Sequence, residues 1–226
     1  MQVIIAGTGK LATELLHALK ADASCPVRSW ADALGSPRRS IVVHAGSGRE
    51  LDAIAAYCEA TKSPLIELAT GSSIEAKPRG FPVILCPNTN ILMLKFMSMM
   101  AQCGHLFQGH DIKLIESHQA AKTSVPGTAV NLADSLGIGH QDIRSVRDTS
   151  VQRAELQIPE IDLARHAYHQ VLIQDGQCSL KLETRVQGDA PYAPGVVRIV
   201  EAVRARELDN RLYSIMEFIS KGWLPG

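Results

Sequence analysis

The sequence predicts an α/β chain in two parts: a first domain built on a parallel sheet, and a second, α+β domain with a mixed sheet. Three observations carry this. An apolar run at the first residues meets two closely spaced glycines and then leucines at helical spacing. Short apolar runs alternate with helical patterns up to about residue 90, which implies parallel strands. Beyond residue 110 strand-like runs follow one another, and Val171 to Leu180 contains an Asp175-Gly176 turn, the signature of a hairpin.

Gln2-Val3-Ile4-Ile5-Ala6 reads as a strand, Gly7-Thr8-Gly9 as a tight turn, and the run with Leu11, Leu15, Leu16 and Leu19 as a helix. In that order they form the start of a dinucleotide-binding unit. Gly7 would permit the turn, Gly9 would let the backbone approach a pyrophosphate, and Ala12 would let helix and strand pack closely. The segment Gly7-Thr8-Gly9-Lys10-Leu11 is therefore assigned to a cofactor. Cys25 to Trp30 is the second strand. NAD sites commonly place an acidic residue at its end; here stand Arg28 and Ser29, with Asp32 and Arg38-Arg39 beyond. Arg28, Arg38 or Arg39 could neutralise a 2′-phosphate, which favours NADPH and leaves NADH open.

Ser40 to Gly48 is the next strand with its loop, and Glu50 to Ala60 a helix with Leu51, Ile54, Ala55 and Cys58 on one face. Pro64 to Gly71 and Phe81 to Asn90 are further strands with turns. Parallel sheets bind ligands off the carboxyl ends of their strands. Gly7, Gly9, His44, Gly46, Ala69, Thr70, Gly71, Asn88 and Asn90 are thus expected to rim one crevice. Glu67 reads either as a buried partner for Lys62 or as an exposed residue.

From Ile91 the character changes. Ile91 to Cys103 is an apolar helix with four methionines, read as core. Ile112 to Ile115 is a strand feeding a loop, and a helix runs from Ala129 to Leu136. Strands follow at 142–146, 167–173 and 178–186; the stretch 186–195 breaks the chain. Val196 to Arg206 and Leu212 to Ser220 are helical and return to pack on the first domain. The domains are accordingly 1–90 with 195–226, binding a dinucleotide, and 91–194, binding the substrate.

The most informative stretch is Glu116 to Ala129. It offers an imidazole (His118), an ammonium (Lys122) and the backbone N–H groups of a helix start at Gly127 and Thr128. Together these suit a small anionic substrate that must receive a proton.

Composition agrees with an enzyme of this kind. The chain has 226 residues, 46% hydrophobic and 20% charged, with a formal net charge of zero. Neutrality argues against a nucleic-acid partner. No apolar stretch approaches the roughly 18 residues of a membrane span, and the opening strand and helix do not read as a secretory signal. The five cysteines include no Cys-x-x-Cys pair, so reduced, buried thiols in a cytoplasmic protein are expected. His166 and His169 are three apart but read as loop and strand residues, and no metal is expected.

Glu116-Ser117-His118-Gln119-Ala120-Ala121-Lys122-Thr123-Ser124-Val125-Pro126-Gly127-Thr128-Ala129 resembles the signature of the 4-hydroxy-tetrahydrodipicolinate reductase (dihydrodipicolinate reductase) family. That signature has a glutamate, two histidines, a lysine, an aspartate and then Pro-Ser-Gly-Thr-Ala. Leu68-Ala69-Thr70-Gly71 looks like the family's Gly-Thr-Thr-Gly turn near the nicotinamide. Pro87-Asn88-Thr89-Asn90 with Met93-Leu94-Lys95 looks like its Asn-Phe-Ser segment and following helix, and His44-Ala45-Gly46 stands where it has Asp-Phe-Thr. The resemblance implies a Rossmann domain closed by the C-terminal helix, and a mixed-sheet domain that builds a homotetramer. It implies an NADPH- or NADH-dependent reduction of a cyclic imine or enamine dicarboxylate in lysine biosynthesis. His118 would be the proton donor and Lys122 its electrostatic partner. Gln119, Gly127 and Thr128 would hold the substrate. Departures fall at Gln119 (a histidine in the family), Ser124 (an aspartate), Lys10 (an arginine), Leu68 (a glycine) and Ala45 (an aromatic); the glycine turn is one residue shorter. Two alternatives stay open: an imine reductase or amino-acid dehydrogenase with another substrate, and a non-catalytic nucleotide-binding homologue.

Overall fold

The computed structural model describes residues 1–21, 25–35, 37–76, 79–123 and 125–225. Strand β1 (Gln2–Ala6), helix α1 (Lys10–Ala21), β2 (Val27–Ser29), the one-turn α2 (Trp30–Ala33), β3 (Ser40–His44), α3 (Leu51–Thr61), β4 (Leu65–Glu67) and β5 (Val83–Leu85) lead into α4 (Ile91–Cys103). There follow β6 (Asp111–His118), α5 (Gly127–Leu136), β7 (Arg144–Val146), α6 (Thr149–Ala154), β8 (Ala167–Asp175) and β9 (Cys178–Val186). The chain ends with α7 (Ala193–Arg204), β10 (Leu212–Ser214) and α8 (Ile215–Ser220). It divides into two units, Met1–Leu94 with Tyr192–Gly226, and Lys95–Pro191.

The first unit holds a six-stranded sheet of order β10-β5-β4-β3-β1-β2, parallel throughout. β1 has a neighbour on each side and every residue buried, which is why it reads as a continuous apolar run instead of an alternation. Ile4, Val42, Leu65 and Val83 share one face by register and pack with Leu51, Ile54 and Cys58 of α3. Helices α1 and α7 pack on each other and against β1 and β3. Strand order reverses between β1 and β3, the switch point off whose carboxyl ends ligands bind in this architecture.

Four expectations are corrected here. Trp30 leaves the second strand for α2, which Ser29 caps by accepting from the Asp32 N–H. Leu212–Ser214 is not helical but a strand paired with Val83–Leu85; α8 begins only at Ile215, after a Ser214–Glu217 capping box. Residues 193–195 do not break the chain but form the first turn of α7. Pro194 is tolerated there because a first-turn residue has no intrahelical N–H bond to lose. The five thiols are free, but only Cys58 and Cys86 are buried, which pushes Cys58 up to about 12 and raises Cys86 as well; Cys103 and Cys178 are exposed.

The second unit holds a four-stranded sheet of order β7-β6-β8-β9, with β6–β8 and β8–β9 antiparallel and β6–β7 parallel. Gly176 turns the β8–β9 hairpin with φ 55°. Glu116 pairs with His169 and Leu114 with Val171, so the four share one face. Ala129, Leu132, Ala133 and Leu136 form the buried stripe of α5. On the other side Val146, Leu156, Ile158 and Tyr168 make a smaller core with Ile115 packed against it. Helix α6 was not expected, although Asp148 is a plain N-cap that accepts from the Ser150 and Val151 N–H groups. Among the described residues no helix is long and apolar enough to cross a membrane.

Gly195 is buried in α7, and a Cβ there would overlap the Thr89 carbonyl oxygen, so the close approach requires glycine. Gly195→Ala is expected to cost at least about 2 kcal/mol through overpacking. Denaturant unfolding of the variant beside the parent checks this.

Candidate active site

Off the carboxyl ends of β1 and β3 lies a pocket of about 280 Å³ lined by Gly7, Thr8, His44, Gly46, Ser47, Gly48, Arg49 and Glu50. Gly7 has φ 133°, and a Cβ there would strike the Ala45 carbonyl, so the two loops touch only because the residue is glycine. Nothing lies within 4 Å of the Cβ position of Gly9, which leaves the start of α1 open to a phosphate group. Lys10 is the first residue of α1 and exposed, and Leu11 is half-buried beside it. Ala45 donates its N–H to Ala6, and Leu68 to His44, which ties the β1, β3 and β4 ends together. Of the residues expected to rim one crevice, Gly7, His44 and Gly46 line this pocket, together with Thr8 of the segment assigned to a cofactor. Ser47, Gly48, Arg49 and Glu50 were not foreseen, although they follow directly on the β3 loop.

The remaining first-unit residues are placed as follows. Ala69 is half-buried and Thr70 exposed in the turn after β4. Asn88 and Asn90 spend side-chain oxygens on local structure, Asn88 accepting from the Asn90 N–H at 2.9 Å and Asn90 from the Met93 N–H at 3.0 Å, which caps α4. Arg28 donates to the Asp32 carbonyl at 2.5 Å, next to the end of β2. Arg38 instead donates to Gln2, the first residue of β1, at 2.5 Å. Arg38 and Arg39 precede β3 and so lie at the amino edge of the sheet, opposite the pocket. That removes both as readers of a 2′-phosphate. Glu67 is neither exposed nor paired with Lys62, whose partner is Glu59 at 3.1 Å; it is fully buried against His44.

In the second unit β6 runs three residues beyond its apolar core, so His118 is the last residue of a strand and not part of the loop. Glu116, two residues earlier, projects to the same face and has no solvent exposure. It accepts from His118 Nδ1 at 2.9 Å and from two nitrogens of Arg147 at 2.6 and 3.2 Å. Burial alone would raise the Glu116 pKa; hydrogen bonds from His118, Arg147 and Ser145, with the Arg147 charge, outweigh it and bring it to about 2. A carboxylate only accepts, so the His118 proton on this side sits on Nδ1 and Nε2 is left for other chemistry. The His169 ring packs edge-on against His118 at 5.7 Å. Burial, and then the His118 charge, push His169 down to about 4.

Two further side chains fasten the loop. Arg147 donates through Nε to the Lys122 carbonyl at 2.9 Å, and Gln152 donates to the His118 carbonyl at 2.8 Å. Lys122 donates its own N–H to Gln119 at 3.0 Å, closing a turn. Pro126 precedes α5, which starts at Gly127-Thr128; the first turn of any helix presents backbone N–H groups. Ser124 lies outside the described residues. Arg147, Gln152 and His169 were missed as site residues, since only the pairing of β7 and β8 with β6, and the helix α6 that follows β7, bring them beside His118. Among the described residues no group of three or more His, Cys, Asp or Glu side chains is placed to hold a metal.

Comparison with known proteins bears on this geometry. Residues 90–219 match the family model described as dihydrodipicolinate reductase, C-terminus. The 4-hydroxy-tetrahydrodipicolinate reductase 1 of Arabidopsis thaliana is 28% identical over 143 residues, covering 58% of this chain and 41% of that protein. A probable 4-hydroxy-tetrahydrodipicolinate reductase 1 of Oryza sativa is 27% identical over 143 residues, with 58% and 42% covered. Both are named as chloroplastic, and the match spans about two fifths of their length. A dipicolinate-bound dihydrodipicolinate reductase from Paenisporosarcina sp. TG-14 superposes with a TM-score of 0.61 at 16% identity, covering 96% of this chain and 98% of that one. The fold is therefore shared over nearly the whole length. With its family model matched across more than half of its residues, the chain belongs to the dihydrodipicolinate reductase family.

Proposed function

We propose that the chain is an NADPH- or NADH-dependent reductase of the dihydrodipicolinate reductase type, acting on a cyclic imine or enamine dicarboxylate. The observation that carries this reading is the Glu116–His118 pair: a strand-end imidazole whose Nδ1 is held by a buried, ionised carboxylate. Such a pairing fixes the tautomer and leaves Nε2 to deliver a proton, the arrangement a general acid requires.

Unit by unit, the residues fit the parts. Gly7, Gly9 and the start of α1 suit a dinucleotide's diphosphate, and the pocket walls His44, Gly46 and Arg49 border it. The cofactor, when bound, supplies the hydride. Lys122 offers an ammonium, and Gly127 and Thr128 a helix start, for the substrate carboxylates. Arg147 keeps Glu116 ionised and holds the Lys122 backbone, so the strand that carries His118 and the loop that follows it depend on one guanidinium. Gln119 adjoins His118 and would reach the same substrate. A cytoplasmic homotetramer belongs to the same reading; sizing by light scattering tests the assembly.

The decisive assay is oxidation of NADPH and of NADH with enzymatically generated dihydrodipicolinate beside a panel of other cyclic imines. Turnover confined to another imine selects a different substrate, and oxidation of neither nucleotide makes this a binding protein only. His118→Gln is expected to lower turnover by about two to four orders of magnitude with dinucleotide affinity retained; an unchanged rate removes His118 as the acid. Lys122→Ala is expected to raise KM for the dicarboxylate more than it lowers kcat.

The protonation states make the second unit acid-labile in two stages. His169, lowered from 6.5 to about 4, favours the folded state while neutral, so its contribution is lost as pH falls from about 6.5 through 4. Glu116, lowered from 4.5 to about 2, contributes fully above 4.5 and loses that contribution as pH falls through 2, on the order of 3 kcal/mol in all. Unfolding free energy measured against pH is expected to flatten between 6.5 and 4 in His169→Gln and between 4.5 and 2 in Glu116→Gln. Parallel curves for parent and variant would contradict the assignment.

A further inference from the structure

A second buried carboxylate–imidazole pair closes the carboxyl ends of β3 and β4. Glu67 and His44 are the last residues of their strands and register partners, exposed by 0% and 1%. His44 Nδ1 lies 2.8 and 2.9 Å from the two Glu67 oxygens. The same carboxylate accepts from the Ala69 N–H at 2.8 Å and from the Ser72 hydroxyl at 3.2 Å, which fixes the turn after β4. Since a carboxylate only accepts, Nδ1 carries hydrogen in either charge state of the ring, and Nε2 is the nitrogen left over.

Nε2 lies on the pocket side. A Cβ on Gly46 would stand 2.9 Å from it, and His44 and Gly46 both line the pocket with Gly7 and Thr8. On the face that His44 and Glu67 share, the residues two earlier in β3 and β4 are Val42 and Leu65, fully buried and apolar. A carboxylate taken into such surroundings costs several kcal/mol before its partners offset it, and an apolar pair would hold two strands together at less cost. Packing alone does not account for the choice.

We infer that the His44–Glu67 pair is a ligand anchor in which His44 Nε2 bonds a ribose hydroxyl of the dinucleotide half that lies beyond the diphosphate. Glu67 is its positioning residue. The inference rests on the reading of the first unit as a dinucleotide site. Across the switch point of such a sheet one nucleotide half lies toward β2 and the other toward β3 and β4; His44 is on the latter side. A hydroxyl both donates and accepts, so it partners Nε2 whether or not that nitrogen carries hydrogen, whereas a phosphate oxygen needs an imidazolium.

The test is calorimetric titration of the full chain with ADP-ribose and with ADP, each also as its 2′-phosphate. ADP-ribose carries the distal ribose and ADP does not. His44→Asn keeps an N–H donor for Glu67 and deletes Nε2. It is expected to weaken ADP-ribose by about tenfold, the worth of one good hydrogen bond, and to leave ADP unchanged. In ¹⁵N-labelled parent protein, the His44 Nε2 resonance is expected to move on adding ADP-ribose and to stay put with ADP. Glu67→Gln is expected to shift the His44 tautomer and weaken ADP-ribose alike. Equal ADP-ribose affinity in parent and His44→Asn, or an unmoved resonance, overturns the inference while the dinucleotide site stands; if His44→Asn does not fold, the resonance in the parent decides. A parent that binds none of the four compounds overturns the dinucleotide reading and the anchor together.

Discussion

A carboxylate with no access to water must be met by donors on every side, and two such groups organise this molecule. Glu116 is met by Arg147 and His118, Glu67 by His44, the Ala69 N–H and the Ser72 hydroxyl. In both cases the imidazole is held through Nδ1, which leaves Nε2 outside the pairing. The two differ in charge balance. Glu116 has a guanidinium on both oxygens, whereas Glu67 is balanced by neutral dipoles and the ring. The first arrangement keeps a carboxylate ionised down to about pH 2; the second spends its acceptors on fixing the turn after β4.

Strand geometry makes each pair in its own way. Glu116 and His118 are two apart on one strand, and alternation puts them on one face. Glu67 and His44 are register neighbours on adjacent parallel strands. Both pairs sit at strand ends, where a side chain can be rooted in the sheet while its far atom meets a loop. The loops themselves are then tied back, Arg147 to Lys122 and Gln152 to His118 in one unit, Ala45 to Ala6 and Leu68 to His44 in the other.

The parallel sheet also separates functions by edge. Its carboxyl edge collects Gly7, His44 and Gly46, with backbone approaches that only glycine allows. Its amino edge collects Gln2, Arg38, Ser40 and Tyr57 in a network of structural hydrogen bonds. Arg38 and Arg39 look in sequence like ligands for a phosphate, and their place on the wrong edge decides otherwise.

By itself the sequence determined the alternation of strands and helices, the glycine turn after β1, the hairpin at Asp175-Gly176 and the coincidence of His118, Lys122 and a helix start. These are local signals: apolar period, turn chemistry and spacing act over a few residues and survive without a partner. It left open whether Glu67 was buried, read Leu212–Ser214 as helix, and gave no sign of Arg147, Gln152 or His169 near His118. Those facts follow from pairing between segments far apart in the chain. Leu212–Ser214 becomes a strand because β5 has a free edge for it, and Arg147 reaches Glu116 because β7 lies beside β6. A register between distant strands sets which side chains meet, and only the tertiary structure fixes that register.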